Sequence, residues 1–404
     1  MAPASRTWFP VAAIALTLVI APPPALAGDP RAETVQFSLT DLGTLGGVES
    51  HAYLINKQGQ VAGISQTQNG ETHAFLWEDG TMRDLGSLEG NQSAVVALND
   101  WGQVVGNITT ASGYPQAVLW TDGVMLDLGT LPGGYYSQAA AINNRGQVVG
   151  WSAGPEGTHA FLWEAGVMSD LGTLGGFSSY ALLINDTGQV AGHGDTNDGE
   201  EHAFLWADGR MVDLTAGTDD APCYCYSSPM GLNARGQVIG IEFKFVPGPY
   251  IIDAILWENG ARIVIAAGDE SSYYRVERIN DRGEISGTHV FRNGFDVQNP
   301  FFWRDGSIQE WNLGGASSKS MAMNKYGQVV GEGRTPVGEL HGFSWSAGNL
   351  TDLGRPSTRA ADVNDRGLVV GSAYFQNRGT HAALWTPIGR VAPRVVPELT
   401  DSAQ

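Results

Sequence analysis

The sequence predicts an all-β fold built as a ring of small repeated sheets, and three observations carry that prediction. A five-residue element ending in tryptophan recurs eight times: HAFLW 73–77, QAVLW 116–120, HAFLW 159–163, HAFLW 202–206, DAILW 253–257, NPFFW 299–303, HGFSW 341–345 and HAALW 381–385. Its tryptophans are spaced 43, 43, 43, 51, 46, 42 and 40 residues apart, a period that marks one supersecondary unit repeated along the chain. The stretches between them are β-rich and punctuated by glycine, with no helical periodicity. Four short antiparallel strands per unit, eight times over, is the arithmetic of a β-propeller.

Residues 137–172 show how each element arises. Ser137 to Ile142 reads as a first strand. Asn143-Asn144-Arg145-Gly146 reads as a tight turn, because Asn can bond its own backbone and Gly accepts positive φ. Gln147 to Gly150 is the second strand, a loop follows near Gly154–Gly157, and His159 to Trp163 is the third. Glu164-Ala165-Gly166 turns the chain into a fourth strand, Val167 to Leu171. The Asn/Gly turn recurs at 56/59, 99/102, 143/146, 185/188, 233/236, 280/283, 324/327 and 364/367. Turn geometry therefore accounts for much of the glycine.

The ends of the repeat predict closure. Val35 to Gly43 matches the fourth strands of other units, such as Arg83-Asp84-Leu85-Gly86 and Asp170-Leu171-Gly172. The last unit keeps a clear pattern only to Trp385, so the first strand can complete the eighth sheet and remove two free edges. Arg390-Val391-Ala392-Pro393 competes for that place, weakened by Pro393. A seven-bladed ring with one irregular unit is the alternative. The expected layout is a signal peptide at 1–27, one propeller at 28–389 and a C-terminal tail at 390–404.

Residues 1–27 read as a secretory signal: Arg6, an apolar run from about Phe9 to Ala21, and Ala25-Leu26-Ala27 before Gly28. No later stretch reaches the length of a membrane span, and neither a lipoprotein cysteine nor a sorting tail is seen. The expectation is a secreted or periplasmic protein, a monomer without a membrane anchor. Twenty-three Lys and Arg face 42 Asp and Glu, a formal charge of −19. Such a chain repels nucleic-acid phosphates and anionic lipids, so a neutral or cationic partner fits it better. Cys223 and Cys225 make no disulfide framework, so packing must hold the fold.

The His-Ala-Phe of the repeated strand (His73-Ala74-Phe75, His159-Ala160-Phe161, His202-Ala203-Phe204), with DLGTLGG at Asp41 to Gly47 and the IN-x-x-GQV-x-G segment at Ile184 to Gly192, resembles the HAF-repeat family of probable extracellular proteins. The resemblance spans residues 35 to about 386. It departs in units five and six, where DAILW and NPFFW lack the histidine and Arg262-Ile263-Val264-Ile265 replaces DLG. It implies an exported bacterial protein and no known chemistry.

Each regular unit also carries a hydroxyl before the turn Asn (Ser50, Ser93, Ser137, Ser179, Ser227, Ser318, Thr358). Ser, His and Asp together suggest a hydrolytic triad. A set repeated around a ring is better read as structural, each polar group satisfying its neighbours. On that reading His73, His159, His202, His341 and His381 are structural residues. So are Trp77, Trp120, Trp163, Trp206, Trp257, Trp303, Trp345 and Trp385. No catalytic residue, metal or cofactor is expected. Residues 195–201 look like a calcium loop, but the glycine falls one place early.

Function is expected where the pattern breaks, in units five and six. Tyr224, Tyr226, Phe243, Phe245, Tyr250, Tyr273 and Tyr274 form the candidate ligand patch, beside Asp219, Asp220, Asp269 and Glu270. Aromatics next to carboxylates suit a neutral sugar. The expected function is a binding scaffold for an extracellular glycan or protein. A propeller glycan hydrolase or lyase, or a structural matrix component, is the alternative.

Overall fold

A computed structural model describes residues 35–87, 92–216, 225–244, 250–292, 297–354 and 357–388. The expected signal segment and tail, together with Asp219, Asp220, Cys223, Tyr224, Phe245 and the side chain of Cys225, lie outside the described residues. The described residues form 32 strands and no helix.

Unit one sets the pattern: Gly46–Ile55, Val61–Thr67, Thr72–Glu78 and Thr81–Asp84, each antiparallel to the next. The chain forms five four-stranded sheets and one of twelve strands. In the larger sheet, units three, four and five meet through single parallel pairs, Thr158 with Ser178 and Glu201 with Tyr226. The strands of residues 137–172 run slightly longer than their sequence pattern, as Tyr136–Ile142, Val148–Gly154, Gly157–Glu164 and Val167–Asp170. Val148–Gly154 and Gly157–Glu164 extend into the stretch read as loop, because their backbones keep pairing as far as Gly154 with Gly157.

Gln36–Asp41 pairs with Gly379–Ile388, Leu39 opposite Trp385, so the N-terminal strand joins the last unit's sheet. Each first strand touches the first strand of the next unit, and Arg359–Val363 of unit eight touches Gly46–Ile55 of unit one. First strands are therefore the inner elements of their sheets.

The core lies between units rather than within them. Ala62, Ala74 and Leu76 of unit one pack with Val104, Ile108, Val118 and Trp120 of unit two. Phe75 of unit one packs with Val370, Ala382 and Leu384 of unit eight. Trp120, Trp163, Trp257, Trp345 and Trp385 are buried, and Trp77, Trp206 and Trp303 pack partly buried against similar clusters. A buried indole removes roughly 150–250 Å² from water, which contributes several kcal/mol at about 25 cal/mol per Å².

Two local devices make this packing feasible. Every first strand carries a bulge opposite its second-strand glycine, as between Ala139 and Ala141 across from Gly150. A Cβ on Gly150 would collide with the Gln138 carbonyl, so the sheet closes up only around glycine. The hairpin after each of the first seven tryptophans has two residues at positive φ, as Asp79 (48°) and Gly80 (85°), the type I′ geometry that matches strand twist.

Candidate functional site

Antiparallel strands put the connections of each unit at two ends. The Asn turns, between first and second strands, share one end with the type I′ hairpins. The connections between second and third strands, and from one unit to the next, share the other.

The Asn end is bonded to itself. The Asn56 side chain accepts from Gly59 N–H and Gln60 N–H and donates through Nδ2 to the Asn99 carbonyl at 3.0 Å. Asn99 donates to Asn143 O, Asn143 to Asn185 O, Asn185 to Asn233 O and Asn233 to Asn280 O. Asn280 reaches Lys325 O, Asn324 reaches Asn364 O, and Asn364 donates back to Asn56 O at 3.0 Å. Turn-to-turn contacts lie outside this relay, including Lys57 with Asp100 (2.8 Å), Lys325 with Asp365 (3.0 Å) and Arg366 with the Gln58 carbonyl (2.6 Å).

The repeated Ser, His and Asp are occupied within the sheets. Ser93 Oγ accepts the Ala74 N–H of the preceding unit (2.9 Å) and donates to the Gly86 carbonyl (2.8 Å). Ser137, Ser179 and Ser50 do the same with Ala117, Ala160 and Ala382. Ser227 and Thr358 take the N–H of Ala203 and Gly342. Each HAF-type histidine instead meets a fourth-strand aspartate through Nδ1: His73 with Asp84, His159 with Asp170, His202 with Asp213, His341 with Asp352 and His381 with Asp41, at 2.8–2.9 Å. The Asp213 hydrogen bond, reinforced by Glu200, raises the pKa of His202. The hydroxyl proton thus goes to a carbonyl and the imidazole to a carboxylate, with no hydrogen-bonded relay joining the three.

Units five and six rebuild these bonds. Asp253 stands at the histidine position and is met by Lys244 (2.6 Å) and the Gly268 N–H (3.0 Å), while Arg262 pairs with Glu242. In unit six, Tyr274 replaces the hydroxyl residue. It stacks on His289 at 3.9 Å, and both reach Glu310. Burial and the Glu310 carboxylate push the Tyr274 hydroxyl up to about 12, which makes it a fixed donor.

The candidate patch lies at the end opposite the Asn turns, and part of it comes together. Tyr226 meets Phe243 at 5.2 Å and Phe243 meets Tyr250 at 6.0 Å. The Arg292 guanidinium lies 4.4 Å from the Tyr250 ring centre and 5.2 Å from that of Tyr273, bridging units five and six. Tyr274 does not join this surface. It is packed inward among His289 and Phe301. Asp269 caps the backbone of Ser271 and Ser272, and Glu270 is exposed.

The sequence reading missed the other half of the aromatic path. Trp151 meets Tyr180 at 5.7 Å, Tyr180 stacks on His193 at 5.0 Å, and His193 meets Tyr226 at 6.3 Å. The path therefore runs from unit three to unit six, with every ring at least partly exposed. Trp151, Tyr180 and His193 sit in the most regular units. Their signal is that they vary at positions where the surrounding repeat does not. Among the described residues no cluster of metal-ligating side chains occurs.

No family model matches the chain, and no curated protein matches it. Among solved structures, TolB from Acinetobacter baumannii is similar with a TM-score of 0.37 and 14% identity, over 54% of this chain and 53% of that one. The β-propeller domain of the Trilobed protease from Pyrococcus furiosus is similar with a TM-score of 0.45 and 10% identity, over 64% and 82%. A puromycin-hydrolyzing peptidase of Mycobacterium tuberculosis is similar with a TM-score of 0.48 and 14% identity, over 74% and 53%. The chain spans about half the length of the TolB and peptidase chains (53% each). The described residues are all-β.

Proposed function

We propose that residues 28–389 form an eight-bladed propeller of HAF type, closed by the N-terminal strand, that is exported and works as a glycan-binding scaffold. Eight four-stranded groups, the Asn relay that returns to Asn56 and the packing of unit eight on unit one support the ring. The observation that carries the binding role is the aromatic path from Trp151 to Tyr273 at one end, against an opposite end occupied by its own turn-to-turn bonds. Flat, partly exposed rings suit the apolar faces of sugars.

The test is a glycan array probed with the full chain, beside a screen for release of reducing ends. Binding without release is expected, and Tyr250→Ala should weaken it at least tenfold with an unchanged melting temperature. Binding indifferent to Tyr250→Ala, or sugar release abolished by a change at Asp269 or Glu270, overturns the reading.

A further inference from the structure

One register layer near the axis has no side-chain role that repeats from unit to unit. It consists of the first-strand residue paired with the position after each second-strand glycine. The neighbouring layers are nearly uniform: a hydroxyl on one side in seven units, and Asn at every turn. This layer is not uniform. In units six, seven and eight it holds Arg275, Lys319 and Arg359, with side chains 42, 37 and 61% exposed. Lys and Arg are only 23 of 404 residues, so three in succession among eight places is a concentration that composition does not predict.

The cations hold only partial internal neutralisation. Glu332 lies 3.0 Å from Lys319 and 3.6 Å from Arg359, so one carboxylate serves two cations in adjacent units. Arg275 is paired with Glu277 at 2.7 Å, and Thr288 also donates to that carboxylate. Exposed Arg278 donates to the Glu277 carbonyl and lies near the Asp362 carboxyl. Further round, Arg359 and Glu49 both act on His51 of unit one. Lys319 and Arg359 together therefore carry one positive charge more than the single Glu332 carboxylate between them, in a chain of formal charge −19.

In the same layer, unit four holds Tyr180, and the paired second-strand positions hold Trp151 and His193. In a ring of eight, units three and four stand opposite units seven and eight. A stacking wall of Trp151 and Tyr180 then faces Lys319 and Arg359 across the axis.

Resting on the glycan-binding ring proposed above, we infer that this layer selects an anionic carbohydrate, one bearing carboxylate or sulfate groups. Its sugar faces lie on Trp151 and Tyr180, and its charges on Lys319 and Arg359. The acidic exterior repels such a ligand and the axis attracts it, so recognition is confined to the opening. The expectation of a neutral sugar came from the acids of units five and six, of which the described Asp269 and Glu270 precede the first strand of unit six and are not in this layer.

Calorimetric titration of the full chain with oligogalacturonate, a sulfated galacto-oligosaccharide and neutral galacto-oligosaccharide separates the cases. Preference for one or both acidic ligands over the neutral one is expected, weakening as NaCl rises. The K319Q/R359Q double variant should lose at least tenfold in affinity for the acidic ligand, while R83Q/R210Q, an equal charge change on two outer strands, should not. Should the double variant fold poorly, the salt dependence and competition by inorganic sulfate on the unaltered chain decide the matter. Equal affinity for neutral and acidic ligands, or an unaffected double variant, overturns the inference while leaving the binding scaffold standing. Binding of none of the three together with an empty array overturns both.

Discussion

Asn143 serves two levels of structure with one side chain. Its Oδ1 accepts the N–H groups of Arg145 and Gln147 inside the turn, and its Nδ2 donates to Gln147 Oε1 at 2.7 Å and to the next unit's Asn185 carbonyl at 3.0 Å. Removing a buried group with several partners leaves those partners unsatisfied. Asn143→Ala should therefore cost about 2–4 kcal/mol, read as a lowered denaturant midpoint. A cost below about 0.5 kcal/mol would mean that the relay is incidental. Asp362 presents the opposite case. Burial pushes its carboxyl up to about 6, although the Ile55 and Val363 N–H groups and Arg278 oppose the rise. The folded state then holds the proton more tightly than the unfolded chain. Stability falls as pH rises from about 4 through 6, and the penalty is complete above that. Asp362→Asn keeps an acceptor for Ile55 and removes the penalty. The variant should gain on the natural chain by about 2–3 kcal/mol between pH 4 and pH 8 in denaturant titrations. An identical difference at both pH values would contradict this assignment.

At the scale of the strand, the N-terminal segment has the largest consequence. Gln36–Asp41 supplies Phe37 and Leu39 to the core of unit eight and Asp41 to His381, and Leu42 N–H bonds the Ala382 carbonyl. Deleting residues 28–44 strips the last sheet of its fourth strand and bares an edge. The melting temperature should fall by about 10 °C or more, since a few kcal/mol shifts a domain of this size by several degrees each. An unchanged melting curve would place closure elsewhere. The strand was legible from sequence because Asp41-Leu42-Gly43 repeats the fourth-strand pattern of Asp84-Leu85-Gly86. The rebuilt bonds of units five and six were not. Asp253 and Glu310 stand where the repeat has its histidine and aspartate, but they pair with Lys244 and His289, which are not the repeat's partners for those places. Only the paired register brings them together.

Over the whole molecule, the two ends divide the work. At one, the Asn relay and charged turn pairs leave few backbone groups free, so substitutions there should register mainly in stability. At the other, the connections differ in length and content, and the aromatic path crosses four units. Tyr250→Ala should therefore change ligand binding with little effect on the melting curve, and Asn143→Ala the reverse. That contrast checks the division directly.

The sequence by itself determined the repeat, the four strands of each unit, the turns and the tryptophan core. All of these follow from short-range patterns: alternation, Asn and Gly at fixed turn positions, and a large apolar residue once per period. Half of the candidate patch was legible too, because insertions in units five and six interrupt that period. The tertiary structure alone decided that the turn Asn spends its Nδ2 on the neighbouring unit, and that Tyr274 packs inward while Trp151, Tyr180 and His193 extend the surface. It also decided that Arg275, Lys319 and Arg359 share one layer. These residues lie about 40 places apart in the chain, and spacing within a unit says nothing of which side chains meet across units. That depends on strand register and on how one sheet leans on the next.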